Sequence, residues 1–486
     1  MDMMVFICAL VPVMLSCVSL AVRFRNLRTR SLWALCSVTT TSLLLGALML
    51  LGKTEPVEIF RLSESFRFIL RLDGPGKVYL GIAAVLWPPA MLYAGEYMTH
   101  EKREGYFFIW YTVAYTPAIL LGTASNLFSL YISYELLTLC TVPLVWHGRD
   151  AASERAAVRY LLFLIGGASL GFVAMVGLET FGVGSFDGPA AGLAGKADNE
   201  WFRTLCLLGF LGFGVKAAVL PLSRWLPTAS VAPTPVTALL HAVAVVNAGV
   251  FAVTRLLYNA LSPEMLRGTW VQASMICLVA VTVVYAAAAA VREKHIKRRL
   301  AWSTVSNLSY MLLGLSLLTT HGMIAGLTHM VFHSAMKIIL FLCAGGIIIY
   351  SGRTSVRQMH GLGWRMPFLF GCFTLSGVSL LGVPPLPGFV SKYELVTAAF
   401  EEGSLLALAG ACALLVAAVL TAVYIFTIVY SAFFMVGDAS QRELSVTRPG
   451  PRMTTSLTLL CVLLVVLGLS AGTVVSQLYG LMGGMG

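Results

Sequence analysis

Apolar runs long enough to cross a bilayer follow one another along the chain, near 3–22, 31–51, 76–98, 107–122, 126–146, 160–180, 203–222, 236–257, 270–291, 300–318, 323–349, 366–396, 404–436 and 453–477. In lipid every backbone amide and carbonyl must find a partner inside its own structure, so only helices and closed barrels span a membrane. Runs of this length, without ten-residue segments of alternating polarity, fold as helices. With 58% hydrophobic and 11% charged residues in 486, the predicted fold is all-α, a polytopic membrane protein of about 14 transmembrane helices. A soluble enzyme is excluded.

The net charge of +11 points to nucleic acid only if the charges cluster on one accessible surface. They sort instead by alternate loops. One set of loops carries 21 of the 33 Lys and Arg residues, the other set 8, and the remaining 4 fall inside apolar runs. By the positive-inside rule the richer set is cytoplasmic, which places the chain in the cell inner membrane with both termini on the outer side. The basic balance is therefore topology, and no nucleic-acid partner is expected. The 10 cysteines are scattered singly, with no CxxC and no Cys/His cluster at ligand spacing, so neither a disulfide framework nor a bound metal or other cofactor is implied. The first run, MMVFICALVPVMLSCVSLAV, lacks a basic leader and is too long for a typical signal-peptide core, and it is read as a retained span.

Ionisable residues inside the runs carry the functional signal. Lys216 sits midway along a run of Gly, Phe, Ala, Val and Leu, where a lysine costs roughly 2.5–3.5 kcal/mol on insertion scales and so marks function by default. Pro221, Pro227, Pro233 and Pro235 then break the helix, which at membrane depth is tolerated only against protein or water. Glu135 is the one charge of the fifth span, placed to exchange protons or to pair with a lysine; a buried carboxylate bonded to a hydroxyl is the simpler alternative. Arg155 and Arg159 share one helical face at the start of the sixth span, either as partners for Glu135 at a channel mouth or, more simply, snorkelling to the interface. His241 follows in the eighth span, as a relay or as a satisfied core histidine. Lys297 lies in the basic loop REKHIKRR near the start of the tenth span, close enough to feed a channel.

His329, His333 and Lys337 are spaced i, i+4 and i+8 in the eleventh span. That spacing lines one helical face over about 12 Å. Two His at i, i+4 also suit zinc, but no acidic or Cys ligand accompanies them. Lys392 lies just past a second break at Pro384, Pro385 and Pro387. The external segment 52–75 alternates charged and apolar residues and reads as a short hairpin or an amphipathic cap, or equally as an ordered loop.

Spans four to eight and nine to thirteen each contain a broken fourth helix with a lysine, helices 7 and 12 of the whole. An odd number of spans per set makes them two inverted five-helix repeats. The predicted organisation is thus 1–106 for the first three spans, 107–257 for the first repeat, 270–436 for the second and 437–486 for the last span. Such symmetry implies two half-channels, one open to each side and meeting near the midplane.

The segments GVKAAVLPLSRWLPTASVAPTPVTALLHA, KHIKRRLAWSTVSNLSYM, HMVFHSAMKIILFLCAGG and GVPPLPGFVSK, in this order, resemble the antiporter-like subunits of respiratory complex I, membrane-bound hydrogenases and multisubunit cation/proton antiporters, over roughly residues 73 to 436. The resemblance implies a proton-translocating subunit without a redox centre, working beside other membrane subunits in a larger redox-driven or antiporter complex. It implies a coupling pair at Glu135 and Lys216, connecting groups at His241, His329, His333 and Lys337, and an exit at Lys392. Asn247 stands where some relatives have a lysine, and His295 where an acidic residue usually precedes the IKR triplet. The long lateral helix of the largest complex I subunit is not expected here. Na⁺ in place of H⁺, an independent small-solute transporter, and a scaffold whose charges merely pair are the competing readings.

Overall fold

The computed structural model describes residues 3–22, 24, 26–52, 54–188, 193–435 and 448–483. Four orientation signals, Arg23, Arg25, Lys53 and Arg442, lie outside the described residues. Ten helical segments are long and apolar enough to cross a membrane. They include α1 (Met4–Val22), α2 (Leu27–Leu50), α3 (Gly74–Tyr97), α6 (Leu127–Val145) and α7 (Ala151–Glu179). Later in the chain come α13 (Trp270–Arg292), α15 (Thr320–Ser351), α19 (Leu405–Phe433) and α20 (Pro451–Leu469). The remaining one is built from α10 (Thr234–Ala238) and α11 (Val245–Thr254) with a π-helical turn after each, Leu239–Val243 and Arg255–Ala260.

The other four expected spans fall on shorter or more polar elements, and the sequence explains each. Span four divides into α4 (Glu104–Val113) and α5 (Tyr115–Gly122). Pro117 cannot donate to the Val113 carbonyl and its ring crowds it, so the ladder is interrupted there. Span seven is α8 (Glu200–Gly214) followed by a turn region before the short α9 (Trp225–Ala229). Span ten is α14 (Ile296–Ser316), whose first residues IKRR lower its hydropathy. Span twelve is α17 (Pro367–Leu381) and α18 (Pro387–Glu402), parted by a turn through Gly382 at φ 96°. Gly382 is suited to that left-handed backbone because it has no Cβ.

Segment 52–75 forms the hairpin: β1 (Val57–Arg61) pairs antiparallel with β2 (Arg67–Leu70), Val57 opposite Leu70. At the other end of α3, Glu96 accepts hydrogen bonds from the Gly450, Arg452 and Met453 amides at 2.6, 3.1 and 3.1 Å and from the Tyr350 hydroxyl at 2.9 Å. A carboxylate on the free amides of a helix N-terminus satisfies their hydrogen bonds and the dipole together. It ties α20 and α15 to α3.

Two segments occupy the middle of the bundle. The hydrophobic window of Thr234–Ala260 is 100% buried and that of α15 is 89% buried. With 32 residues α15 exceeds the thickness of a bilayer core, about 30 Å at 1.5 Å per residue, so it overhangs or tilts. Gly249 of α11 lies against the broken stretch after α8: a Cβ there would stand 2.3 Å from the Ala217 nitrogen and 2.7 Å from the Lys216 carbonyl carbon. Replacing Gly249 with valine is expected to cost about 1–3 kcal/mol, as overpacking does. A thermal melt of the purified protein checks it, and an unchanged melting temperature would refute the tight approach.

Candidate functional site

Lys216 is not in the body of a helix. Pro221 has no amide hydrogen and crowds the carbonyl at position 217, so α8 ends at Gly214 and Lys216 falls in the break itself, where the mid-helix expectation needs correction. Its ammonium, fully buried, hydrogen-bonds the Tyr134 carbonyl and lies 3.4 Å from the centroid of the Tyr134 ring. The Lys216 amide in turn donates to the Tyr134 hydroxyl at 3.3 Å. A cation over an aromatic face is stabilised by the ring quadrupole, most where water is excluded.

Glu135, the next residue on α6, is half-buried, with its Oε1 sealed from solvent and without a hydrogen-bond partner among the described residues. It lies within electrostatic reach of Lys216, and the two are neighbours without a direct ion pair within 4 Å among the described residues. Arg155 and Arg159 are exposed on α7 and, among the described residues, make no ion pair with Glu135.

On the other side of α11 lies a continuous buried row. His241 sits in the π-helical turn Leu239–Val243, its ring 4.7 Å from that of Phe341, with both nitrogens unpartnered among the described residues. The π turn displaces carbonyls from their usual partners, and Asn247 collects them: its Nδ2 donates to the Ala242 and Val243 carbonyls at 3.0 and 3.2 Å and to the Ser334 hydroxyl of α15 at 2.8 Å. Thus Asn247 joins α11 to α15.

On α15, Lys337 donates to the Leu300 carbonyl at 3.1 Å and to the Ser303 hydroxyl. His333 lies within electrostatic reach of Lys337, His329 and His241, with both ring nitrogens buried and, among the described residues, unpartnered. His329 is 5.9 Å from His333 between ring centroids, and its two nitrogens meet the Ser391 hydroxyl at 2.9 Å and Asn307 Oδ1 at 3.2 Å. Ser391 precedes Lys392, whose ammonium donates to the Leu380 and Leu381 carbonyls at 2.8 and 2.9 Å and lies 5.7 Å from the Tyr310 ring. The lysine therefore reaches back across the helix break to carbonyls that end α17, which the proline-containing turn leaves without helical donors.

The structure brings six of the seven expected proton-transfer residues into an interior position, and Lys392 keeps only 8% exposure. Glu135 is the exception, opening partly to the side of the bundle. Lys297 is 7% exposed at the start of α14 and donates to the Ala232 carbonyl at 2.6 Å. Among the described residues no set of three or more His, Cys, Asp or Glu side chains is placed to hold a metal ion. The neutral residues Tyr134, Ser303, Asn307, Ser334 and Ser391 were not singled out from sequence. The spacing of Ser303, Asn307 and Tyr310 along one face of α14 was the available signal.

Residues 124–421, which contain this whole row, match the family model for the NADH:quinone oxidoreductase/Mrp antiporter transmembrane region. The chain belongs to that family. It is 31% identical over 383 residues to NAD(P)H-quinone oxidoreductase subunit 5, organellar chromatophore 1, of Paulinella chromatophora, covering 75% of this chain and 55% of that one. It is 32% identical over 376 residues to NADH-quinone oxidoreductase subunit L of Mycobacterium tuberculosis strain H37Rv, covering 76% and 56%. The chain thus spans little more than half the length of these curated relatives. Its fold is that of a chain in the Mrp complex from Dietzia sp. DQ12-45-1b, with a TM-score of 0.85 at 19% identity over 99% of this chain and 97% of the other. It is also similar to a chain of an archaeal membrane-bound sulfane sulfur reductase, with a TM-score of 0.82 at 23% identity over 100% and 96%. The chain is a multi-span membrane protein of this family.

Proposed function

We propose that this subunit moves protons through two half-channels joined by the buried row from Lys216 to Lys392, in step with changes in a larger membrane complex. The observation that carries the reading is the second half of the row, where His329 bonds Ser391 and Asn307 beside Lys392 while His333 and Lys337 follow along α15. Imidazole, amine and hydroxyl groups placed this way pass protons in short steps, and each ionisable one is costly to bury without such a role. A contact change between Glu135 and Lys216 alters the charge on the lysine, and with it the proton affinity of the next groups along the row. Asn247 and Ser334 carry the connection across α11 to α15 as hydrogen-bonding groups rather than as proton holders.

The partners of such a subunit are the other membrane subunits of a complex, further antiporter-like chains among them. The positive-inside distribution supports an inner-membrane location with both termini outside. The test is potential-driven flux into vesicles containing the assembled complex, followed with a pH dye in sodium-free buffer. Replacing His329 with alanine is expected to lower proton flux by roughly a hundredfold, the low end for a lost proton-transfer group. Undiminished flux through His329→Ala in a fully assembled complex would remove the row as the route. Flux that appears only when sodium is added would favour Na⁺/H⁺ exchange.

A further inference from the structure

We infer that Glu101 and Lys297 form a proton-loading pair at the cytoplasmic mouth of the second half-channel; this rests on the proton-translocating reading above. Glu101 ends the short 3₁₀ turn Met98–His100 that comes after α3, in a loop whose neighbours Lys102, Arg103 and Glu104 make it look like an ordinary charged connection. It is only partly exposed and lies within electrostatic reach of Lys297 on α14, which bonds the Ala232 carbonyl two residues from the Thr234 hydroxyl that Tyr97 of Glu101's own segment meets. Lys297 is nearly sealed, and among the described residues no carboxylate lies within 4 Å of its ammonium; that group is given to the Ala232 carbonyl instead.

A pair kept for stability would be in contact, because a buried charge left without its partner is strongly destabilising. Here the two groups are held apart, one near water and one inside, as donor and receiver would be. Lys297 also lies within electrostatic reach of His241 inward and of His295 beside it. A second thread runs parallel: the Tyr97 hydroxyl is 3.3 Å from that of Thr234, at the start of the α10 segment that leads to His241. Burial holds the Glu101 carboxyl above the usual carboxylate range, with Lys297 and His100 opposing that rise, so it picks up protons closer to neutral pH than an open glutamate does.

The steps balance as simple proton transfers. Glu101 carboxylate takes a proton from hydronium or a protonated buffer, leaving water or the free buffer base; the carboxylic acid gives it to the neutral Lys297 amine, restoring the carboxylate and forming the ammonium. The ammonium then gives the proton to a ring nitrogen of His241, forming the imidazolium, and returns to the amine. Sequence alone marked Lys297 as a channel mouth but gave it no carboxylate partner.

The experiment compares Glu101→Gln, Glu101→Asp and Lys216→Ala in the whole complex reconstituted in vesicles, measuring potential-driven proton flux over a range of pH. A focusing, proton-collecting carboxylate raises association rates by about 10-fold or more, so Glu101→Gln is expected to lose roughly tenfold at about pH 8 and to approach wild type near about pH 6, where supply no longer limits. Glu101→Asp is expected to restore most of the rate. A Glu101→Gln deficit equal at every pH, or none at all, would overturn the inference, since a packing role has no reason to follow proton concentration. Should Glu101→Gln not assemble, Glu101→Ala reads the same profile. Wild-type flux in Lys216→Ala would mark failure of the underlying functional reading, whereas a dead Lys216→Ala with a normal Glu101→Gln would sink only this pair.

Discussion

Under the proposed proton-translocating function, replacing Lys216 with alanine is expected to abolish coupled proton movement while leaving the proposed complex assembled. Among the described residues the ammonium has no carboxylate within 4 Å; it hydrogen-bonds the Tyr134 carbonyl and stacks on that ring. Losing it strands one buried carbonyl, a cost of about 1–3 kcal/mol, and removes a buried cation, which works in the opposite direction. Stability should therefore change little. Proton flux should fall by about a hundredfold or more, because a relay with a missing group has no neighbour able to substitute across the break. Flux in vesicles and size-exclusion of the solubilised complex measure the two effects separately. Normal flux with normal assembly would reject Lys216 as part of the path.

The second large effect concerns stability. Arg255, fully buried in the π-helical turn after α11, makes a two-point contact with Asp73, at 2.7 and 2.5 Å, and its guanidinium lies about equally close to the Phe186 and Phe251 rings, 5.1 and 5.0 Å. Asp73 is also the N-cap of α3, accepting from the Gly76 amide at 3.1 Å. The pair forms a clamp between the π-helical turn after α11 and the start of α3, next to a polar cavity of about 710 Å³ lined by Arg71, Asp187, Tyr258 and Arg267 among others. Removing one member of a buried pair typically costs ~3–5 kcal/mol because the other is left uncompensated. Arg255→Met is therefore expected to lower the melting temperature sharply or to prevent assembly, and Asp73→Asn combined with Arg255→Met to recover part of that loss. A double variant no better than Arg255→Met alone would show that the arginine acts through its ring contacts rather than through Asp73.

Much of this protein was legible in the order of its residues. Hydrophobic run length fixes helices because lipid leaves the backbone no other partner, and the fold class and the two broken helices trace to local sequence, whereas the choice of a hairpin at 57–70 over a cap or a loop was left to the tertiary structure. The candidate residues were legible for the same reason: a charge in an apolar run announces itself by its cost. Neutral polar residues do not. Ser391, Asn307 and Ser334 complete the row by hydrogen bonding, yet a serine or asparagine in a helix costs little enough that sequence gives it no emphasis.

Distance was the other closed matter. Glu135 and Lys216 are read as a pair from their motifs, but only packing decides that the lysine turns to Tyr134 and the carboxylate stands off. Cysteines that are isolated along the chain behave likewise: the thiols of Cys343, Cys372 and Cys461, on α15, α17 and α20, meet in hydrogen-bonding contact once these helices pack. Asp73 and Arg255, 182 positions apart, form the most buried ion pair among the described residues, although nothing near either residue points to the other. Local backbone chemistry, acting over a turn or two of helix, thus determined which segments cross the membrane, where they break and which residues are too costly to be there by chance. Which of those residues touch, and which are kept just out of reach, depends on how the rods lie against one another, and that energy is summed over contacts between segments far apart in the chain.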